Sequence, residues 1–148
     1  MTTIAWDGKT LAADKMAVND NLKRTTTKIF RVGKVGDVLI AGCGDSAFIN
    51  QMVDWYRRGA KPEDYPAQQR DKDDWQTLAV FKQGEFIEIY ERTPFPVIVE
   101  DVFFACGSGR DFALGAMACG KTAKEAIEIA AQFDCGTGMG IDTLEFGK

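Results

Sequence analysis

The stretch TTIAWDGKTLAAD, residues 2–14, follows Met1 and decides the fold. Two short β-prone runs, Thr2–Trp6 and Lys9–Ala13, flank the dipeptide Asp7-Gly8. Asp-Gly between two such runs is a strong signal for a β-hairpin with a two-residue turn. The chain is therefore predicted to open with an antiparallel strand pair.

The predicted turn also sets the register of this hairpin. A two-residue turn without a bulge pairs Thr2 with Ala13, and the pairs Ile4–Leu11 and Trp6–Lys9 follow. Asp14 then lies at the open end of the hairpin, roughly 5–8 Å from Thr2 by cross-strand geometry. A bulge would change the face to which its carboxylate points, so the turn predicts proximity and leaves the orientation open.

The rest of the chain alternates between groups of strands and groups of helices. Hairpin-linked strands with helices in separate blocks indicate antiparallel sheets with helices on their outer faces, an α+β fold in one domain over residues 1–148. Apolar spacing, turn residues and a glycine at position 59 give these expected elements: strands Lys28–Val32 and Val38–Ala41; helix Asp45–Arg58; a loop over Ala60–Asp74; strands Trp75–Phe81, Phe86–Arg92, Val97–Val99 and Val102–Cys106; helices Asp111–Cys119 and Ala123–Phe133; and a last strand, Thr143–Phe146.

Composition excludes several classes of function. The chain has 148 residues and a net charge of −4, which argues against nucleic acid as a partner, since phosphate binding needs a basic face. No apolar run is long enough to span a membrane, and no signal peptide is predicted, so a cytoplasmic protein is expected. Histidine is absent, which removes Ser-His-Asp and Cys-His catalysis.

The four cysteines carry no recognisable chemistry in the sequence. None forms a CxxC pair, so no metal site is predicted. Each lies among apolar or small residues, a setting typical of buried free thiols. The cysteines are Cys43, Cys106, Cys119 and Cys135.

Residues Gly115–Thr122 match the phosphate-loop pattern GxxxxGK[ST] letter for letter. That loop must leave a strand, whereas the residues before this match are alanine-rich and helical. A turn between two helices explains the same letters, with Gly120 ending one helix and Thr122 capping the next in a capping box with Glu125. Nucleotide binding is therefore not predicted.

Thr2 becomes the amino terminus if Met1 is removed. A terminal threonine carries a hydroxyl nucleophile and a free α-amine that can act as its base. Because the chain lacks histidine, this arrangement is one of the few hydrolytic schemes open to it.

The chain resembles the proteasome β-subunit and HslV family of N-terminal-nucleophile hydrolases over nearly its whole length. Several short motifs follow each other in the family's order, although each is weak alone. These are Thr2-Thr3-Ile4, Leu11-Ala12-Ala13-Asp14, Thr27-Lys28-Ile29-Phe30, Ile40-Ala41-Gly42, Gly107-Ser108-Gly109 and Asp134-Cys135-Gly136-Thr137-Gly138. The resemblance implies a four-layer αββα sandwich of antiparallel sheets, shortened here by about one helix because a loop replaces the second helix before the next strands.

The resemblance also implies roles for individual residues. Thr2 matches the nucleophile, Lys28 the lysine that lowers the pKa of its hydroxyl, and Asp14 the acid that orients this lysine. Gly42 matches the backbone donor of the oxyanion hole. The remaining matches are Ser108, which contacts the terminal amine in the family; Asp134, a nearby buried acid; and Thr137, which stands where a serine is commoner.

The implied function is a threonine-type peptidase without a cofactor. It would act on unfolded polypeptide inside a homo-oligomeric ring, with an ATPase unfoldase as partner. Two alternatives stay open: an amidohydrolase that acts on a small amide, and a non-catalytic assembly protein of this fold, of cellular or viral origin. The small-residue strand Ile40-Ala41-Gly42, which can pair with an extended peptide, favours the peptidase over the small-amide enzyme.

Overall fold

A computed structural model describes residues 1–33, 37–66 and 76–148. These residues form eleven strands, three α-helices and one short 3₁₀ turn at Pro62–Asp64. The strands are β1 Thr3–Trp6, β2 Thr10–Asp14, β3 Met16–Asn19, β4 Leu22–Thr25, β5 Ile29–Val32, β6 Val38–Cys43, β7 Thr77–Lys82, β8 Ile87–Tyr90, β9 Val97–Val99, β10 Phe104–Gly107 and β11 Ile141–Glu145. The helices are α1 Ser46–Arg57, α2 Arg110–Ala118 and α3 Ala123–Phe133.

Two antiparallel sheets and one separate hairpin contain all of these strands. The four-stranded sheet has the order β10-β1-β2-β11, and the five-stranded sheet has the order β5-β6-β7-β8-β9. The hairpin β3–β4 stands alone as a two-stranded ribbon. Every strand pair is antiparallel, which confirms the predicted α+β class with hairpin-linked strands.

Three groups of buried side chains show how the elements pack. One group contains residues of both sheets, including Ile4, Leu11, Leu39 and Phe81. A second joins α1 to the five-stranded sheet. A third joins α2 and α3 to the four-stranded sheet through small residues such as Ala5. Burial of this apolar surface is the main stabilising contribution to the fold.

The expected helices form where the sequence places their ends. Asp45 caps α1 by accepting a hydrogen bond from the Phe48 N–H at 2.9 Å, and Gly59 follows the helix with φ of +109°. Thr122 and Glu125 form the predicted capping box of α3. The GxxxxGK[ST] match therefore covers the end of α2 and the turn that connects it to α3. None of the described helices is long and apolar enough to cross a membrane.

The first hairpin forms, but the predicted register is wrong. Trp6 pairs with Leu11 and Ile4 pairs with Ala13, a shift of two residues from the expected pairs. A shift of two keeps each side chain on its own face of the sheet. It moves Asp14 by two positions, so that Asp14 lies opposite Thr3 instead of opposite Met1, beyond the predicted Thr2–Ala13 pair.

The side chain of Asp7 causes this shift. Its Oδ1 accepts hydrogen bonds from the N–H groups of Lys9 at 2.9 Å and Thr10 at 2.8 Å. These bonds fold Asp7 over the turn, so the two central turn residues are Gly8-Lys9 instead of Asp7-Gly8. Gly8 has φ of +98°, which favours glycine at the first central position.

The structure also contains a hairpin that sequence patterns did not predict. β3 and β4 pair around Asp20-Asn21, and Asp20 adopts a φ of +54°. All four residues of β4 are exposed, so no alternation of apolar and polar residues marks the strand. The run Asn19-Asp20-Asn21 is the turn signal that was available.

Other expected bounds shift by one or two residues, and one region falls outside the description. The expected strands Phe86–Arg92, Val102–Cys106 and Thr143–Phe146 appear as β8, β10 and β11. Trp75 and most of the expected loop Ala60–Asp74 belong to residues 67–75, outside the described residues. Within the described residues, α1 is the one α-helix between β6 and β7.

Candidate active site

Thr2 lies just before β1, at the end of the central core, and only 6% of its surface is exposed. Its hydroxyl donates a hydrogen bond to the Met1 carbonyl oxygen at 2.7 Å. Its backbone N–H donates to Ser108 Oγ at 3.3 Å. Because Met1 is attached, the Thr2 nitrogen is an amide and cannot serve as a base. Thr2 therefore offers a free amine only after Met1 is removed.

Asp14 and Lys28 form a buried ion pair beside Thr2. Lys28 Nζ lies 2.7 Å from Asp14 Oδ1, and the side chains are 6% and 0% exposed. Lys28 Nζ also donates to the Met1 carbonyl oxygen at 3.4 Å, the same oxygen that the Thr2 hydroxyl contacts. The ammonium therefore sits next to the position where charge would develop in a reaction of Thr2.

Backbone groups hold Asp14 firmly in place. Its Oδ1 accepts a hydrogen bond from the Thr3 N–H at 2.9 Å. Its Oδ2 accepts from the N–H groups of Met16 at 3.3 Å and Gly138 at 3.1 Å. A fully buried carboxylate needs such donors, and together with Lys28 they compensate its loss of water. Asp14 thus orients Lys28 and also ties β2 to the chain that follows α3.

Burial lowers the pKa of Lys28 below its usual value of 10.5. Loss of water around the ammonium favours the neutral amine, and this effect is larger than the opposing influence of Asp14 and Asp134. A lysine of this kind holds its positive charge less firmly than an exposed one. It can stabilise an alkoxide nearby, and it releases its proton at a lower pH.

A second group of polar side chains, which includes residues just after the C-terminal end of α3, approaches Thr2. Ser108 Oγ donates to Asp134 Oδ2 at 2.7 Å, and Thr137 Oγ1 donates to the same oxygen at 2.5 Å. Thr3 Oγ1 lies 2.5 Å from Thr137 Oγ1 and completes the chain of hydroxyls. Ser108 therefore links the backbone nitrogen of Thr2 to a carboxylate.

The pKa of Asp134 is lowered from its usual value. Burial acts in the opposite direction, but the hydroxyls of Thr137 and Ser108, the Gly136 N–H and the charge of the amino terminus together favour the carboxylate. An ionised Asp134 is a hydrogen-bond acceptor only, so Ser108 must donate to it. The Ser108 oxygen is then free to accept from the Thr2 nitrogen.

The helix α3 brings Asp134 to this site because its alanine-rich face packs tightly. Ala123, Ala126 and Ala130 are completely buried against the four-stranded sheet. The first turn is anchored by Asp7, whose Oδ2 accepts a hydrogen bond from the Ala123 N–H at 2.8 Å. Small side chains allow the helix to approach closely, so Asp134, the residue directly after the helix, reaches Ser108.

Gly42 lies near Thr2, and its N–H already has a hydrogen-bond partner. Gly42 and Thr2 line the same small cavity beside α1. The Gly42 N–H donates to the carbonyl oxygen of Lys28, the residue just before β5, at 3.2 Å. A Cβ at this position would overlap Ile49 of α1, so only glycine fits. The N–H expected as the oxyanion donor is therefore close to Thr2 and already donates a hydrogen bond.

A groove of about 390 Å³ leads away from Thr2. Met1, Thr2 and Lys28 lie at one end, the β3–β4 hairpin forms one side, and the start of α1 forms the other. Gly44 lines both this groove and the smaller cavity, a position that sequence analysis did not single out. Gly44 adopts a φ of +120°, a backbone conformation that favours glycine.

All seven expected site residues thus lie at one end of the molecule. The group around Thr2 includes Lys28, Asp14, Gly42 and Ser108, and Ser108 connects it to Asp134 and Thr137. Among residues 1–33, 37–66 and 76–148, no group of three His, Cys, Asp or Glu side chains is placed to hold a metal ion.

The expectation of free cysteines is wrong for two of the four. The structure joins Cys43 to Cys106 in a disulfide bond. Cys119 and Cys135 carry free thiols but are exposed instead of buried. The paired cysteines are 63 residues apart in sequence, so their proximity arises only from the packing of the two sheets. No local spacing signals such a pair.

Comparison with known proteins identifies the fold. No protein-family model and no curated protein matches this sequence. Solved structures do match: Thiobacillus denitrificans BPH has 19% sequence identity and a TM-score of 0.67, and the match covers 97% of this chain and 95% of that one. HslV from Trypanosoma brucei has 20% identity and a TM-score of 0.61, with 97% and 98% of the two chains covered.

A third similar structure is the Anbu complex from Pseudomonas aeruginosa, described as a helical assembly. It has 14% identity and a TM-score of 0.66, and the match covers 98% of this chain and 80% of that one. These likenesses span nearly the whole chain. The protein therefore has the proteasome-like fold that HslV and Anbu share.

Proposed function

We propose that this protein is an N-terminal threonine hydrolase of the proteasome and HslV type, which cleaves peptide bonds with Thr2 after removal of Met1. The observation that carries the proposal is the buried pair of Lys28 and Asp14, at 2.7 Å, placed so that the lysine reaches the oxygen contacted by the Thr2 hydroxyl. The proposed fold is the four-layer αββα sandwich, which the three buried groups of side chains support.

The proposed reaction is acyl transfer to threonine. Once Met1 is gone, the α-amine of Thr2 takes the hydroxyl proton, directly or through water. The alkoxide attacks the carbonyl carbon of a peptide bond to form an ester, and the amine of the leaving peptide takes a proton. Water then hydrolyses the ester and regenerates Thr2.

Each neighbouring group has a part in this reaction. The charge of Lys28 stabilises the alkoxide, and Asp14 holds Lys28 in position. Ser108, backed by Asp134 and Thr137, orients the terminal amine, because its oxygen already accepts a hydrogen bond from the Thr2 nitrogen. For the proposed oxyanion role, the Gly42 N–H must share its hydrogen bond between the Lys28 carbonyl and the substrate oxygen.

Assembly and substrate belong to the same proposal. The groove of about 390 Å³ beside Thr2 is lined in part by the β3–β4 hairpin, and we assign it to the peptide substrate. The likeness to Anbu, described as a helical assembly, supports a homo-oligomer, for which a ring remains our prediction. An ATPase unfoldase partner, an unfolded polypeptide substrate and a cytoplasmic location also remain predictions.

Electrophilic labelling of Thr2 tests the proposal. Protein expressed with native ends should lose the mass of Met1, and an electrophilic peptide probe should then add one adduct at Thr2. Thr2→Ala should abolish the adduct, whereas the matched Thr2→Ser variant, which keeps hydroxyl and amine, should retain it. An adduct that persists in Thr2→Ala would show that another residue is the nucleophile.

Retention of Met1 in cells would instead favour the non-catalytic alternative. A protein that keeps Met1 has no free base, because the Thr2 nitrogen is then an amide. The Met1 carbonyl oxygen also accepts hydrogen bonds from the Thr2 hydroxyl and from Lys28. A labelled protein that hydrolyses small amides but not peptides would support the amidohydrolase alternative. Size-exclusion mass separates a monomer from an oligomer in each case.

A further inference from the structure

The Cys43–Cys106 disulfide joins the two sheets at the end of the molecule where Thr2 lies. Cys43 is the last residue of β6 in the five-stranded sheet, and Cys106 lies in β10 of the four-stranded sheet. Each cysteine is 8% exposed and belongs to the central group of buried side chains. The bond therefore crosses the core, away from the surface.

Each cysteine lies within two residues, along the chain, of a residue of the candidate site. Gly42, the expected oxyanion donor, precedes Cys43 and lines the cavity of Thr2. Ser108, whose Oγ accepts the hydrogen bond from the Thr2 nitrogen, lies two residues after Cys106. One covalent bond thus links two segments from different sheets, one of which contacts Thr2 while the other lines the same cavity.

Hydrogen bonding alone leaves these two segments weakly coupled. β10 is an edge strand that pairs with β1, while β6 pairs with β5 and β7 in the other sheet. No ladder of backbone hydrogen bonds runs from β6 to β10. Side-chain packing and the disulfide are what fix their separation.

Gly107, the last residue of β10, lies close against the backbone of Thr2. Gly107 has φ of +97°, and a Cβ at this position would overlap the carbonyl group of Thr2. Displacement of Cys106 therefore moves Gly107 and Ser108 relative to the nucleophile. Misplacement by about 1 Å can lower a reaction rate by about a hundredfold.

We propose that the Cys43–Cys106 disulfide is a positioning cross-link of the candidate active site, so that the reactivity of Thr2 depends on the oxidation state of this pair. The inference rests on the proposed function. Reduction by a dithiol breaks the Sγ–Sγ bond: two electrons and two protons pass to the cysteines, and the dithiol closes to its own disulfide. A small-molecule disulfide such as oxidised glutathione reverses the step and is itself reduced to two thiols.

The number of free thiols tests whether Cys43 and Cys106 are joined by a disulfide. Alkylation in denaturant without reductant should modify two of the four cysteines, Cys119 and Cys135, and mass mapping should find Cys43 and Cys106 joined. Alkylation of all four in protein purified without reductant and treated with oxidised glutathione would overturn the proposal.

The rate of labelling tests the positioning role. Protein with Thr2 at its amino terminus is compared in oxidised, dithiothreitol-reduced and re-oxidised forms with the electrophilic peptide probe. Reduction should lower the maximal labelling rate by about 10- to 100-fold, with little change in the half-saturating probe concentration, because the groove itself contains neither cysteine. Re-oxidation should restore the rate, and equal rates in the oxidised and reduced forms would overturn the proposal.

Two double variants separate this effect from general reduction. Cys43→Ala with Cys106→Ala should label slowly and should not respond to dithiothreitol. The matched control, Cys119→Ala with Cys135→Ala, removes the exposed thiols and should keep the full response. If the first variant fails to fold, the reduced native sequence provides the same comparison.

Amide hydrogen exchange tests the role of the disulfide independently of the proposed peptidase activity. If no form of the protein is labelled, the peptidase proposal fails, and amide hydrogen exchange still tests the cross-link. Exchange at Gly42–Gly44 and Gly107–Gly109 should become faster on reduction, while exchange in α3 stays unchanged. Unchanged exchange in both glycine segments would overturn the positioning role.

Discussion

Two lysine–aspartate ion pairs with the same N–O distance lie close together in this protein and differ in almost every other respect. Lys28–Asp14 and Lys15–Asp142 both measure 2.7 Å. The side chains of the first pair are 6% and 0% exposed, whereas those of the second are 26% and 34% exposed. Asp14 and Lys15 are consecutive in sequence, yet Asp14 belongs to a buried pair and Lys15 to a pair in contact with water.

The difference shows that burial, and not distance, gives an ion pair its chemical effect. Water screens the charges of Lys15 and Asp142, so their attraction adds little to stability. Around Lys28 and Asp14 the water is gone, and each charge depends on its partner and on fixed backbone dipoles. Such a pair is not a strong stabiliser, but either charge left alone would be costly. The buried lysine is therefore held where a reaction can use it.

Removal of one carboxylate from each pair should give the largest contrast. Asp14→Ala leaves the Lys28 ammonium buried without a counter-charge and leaves three backbone N–H groups without an acceptor. We expect a loss of about 3–5 kcal/mol in the free energy of unfolding. Asp142→Ala, the matched control, should cost less than about 1 kcal/mol.

Urea unfolding of the two variants measures this contrast. The midpoints should separate clearly while the slopes stay similar, since both variants unfold the same chain. Equal destabilisation by the two substitutions would mean that the buried pair is as well screened as the exposed one. The distinction drawn from burial would then fail.

Several elements of the fold were predictable because short-range chemistry decides them. The capping box of Thr122 and Glu125 gives both the start of α3 and the correct explanation of the GxxxxGK[ST] match. The separation between the apolar face of α1 and its polar residues likewise identifies the helix between Asp45 and Gly59. In these cases the residues that specify the element lie within it, so the sequence alone suffices.

Other features were not predictable because distant residues or side-chain caps determine them. The register of the first hairpin depends on Asp7, which caps the turn instead of entering it. The Cys43–Cys106 bond depends on the packing of two sheets. The occupied N–H of Gly42 depends on the carbonyl of Lys28, just before β5. For the same reason, the residues expected at the site could be named, but their hydrogen bonds could not.

Removal of the lysine from each pair tests whether the buried one serves the reaction. Lys28→Met keeps most of the side-chain volume and removes the charge next to Thr2. We expect labelling by the electrophilic peptide probe to fall by about 10²–10³-fold, the usual effect of removing a group that stabilises the developing oxyanion. Lys15→Met should label at nearly the native rate, because its pair does not contact Thr2.

The labelling rates of the two variants are comparable only when both proteins are folded. Both variants should be measured at a urea concentration and temperature where each is fully folded, as judged by the unfolding curve. Rapid labelling of folded Lys28→Met would show that Thr2 reacts without the ammonium. The proposed role of the buried pair would then be limited to structure.

The lowered pKa of Lys28 predicts the smallest of these effects, a dependence of stability on pH. Between the folded pKa and 10.5, the unfolded chain binds a proton that the folded protein has already released, so the free energy of unfolding rises with pH in this window. Below the folded pKa the burial of the charged amine costs stability, and this cost is relieved as the pH approaches 10.5.

The difference between the native protein and Lys28→Met isolates this contribution, because all other titrating groups are shared. The unfolding free energy of the native protein should gain on that of the variant as the pH is raised toward 10.5, measured by urea unfolding at successive pH values. A constant difference would mean that Lys28 keeps its proton as an exposed lysine does. A difference that shrinks would mean that Asp14 outweighs burial and that the ammonium is held more firmly than the geometry indicates.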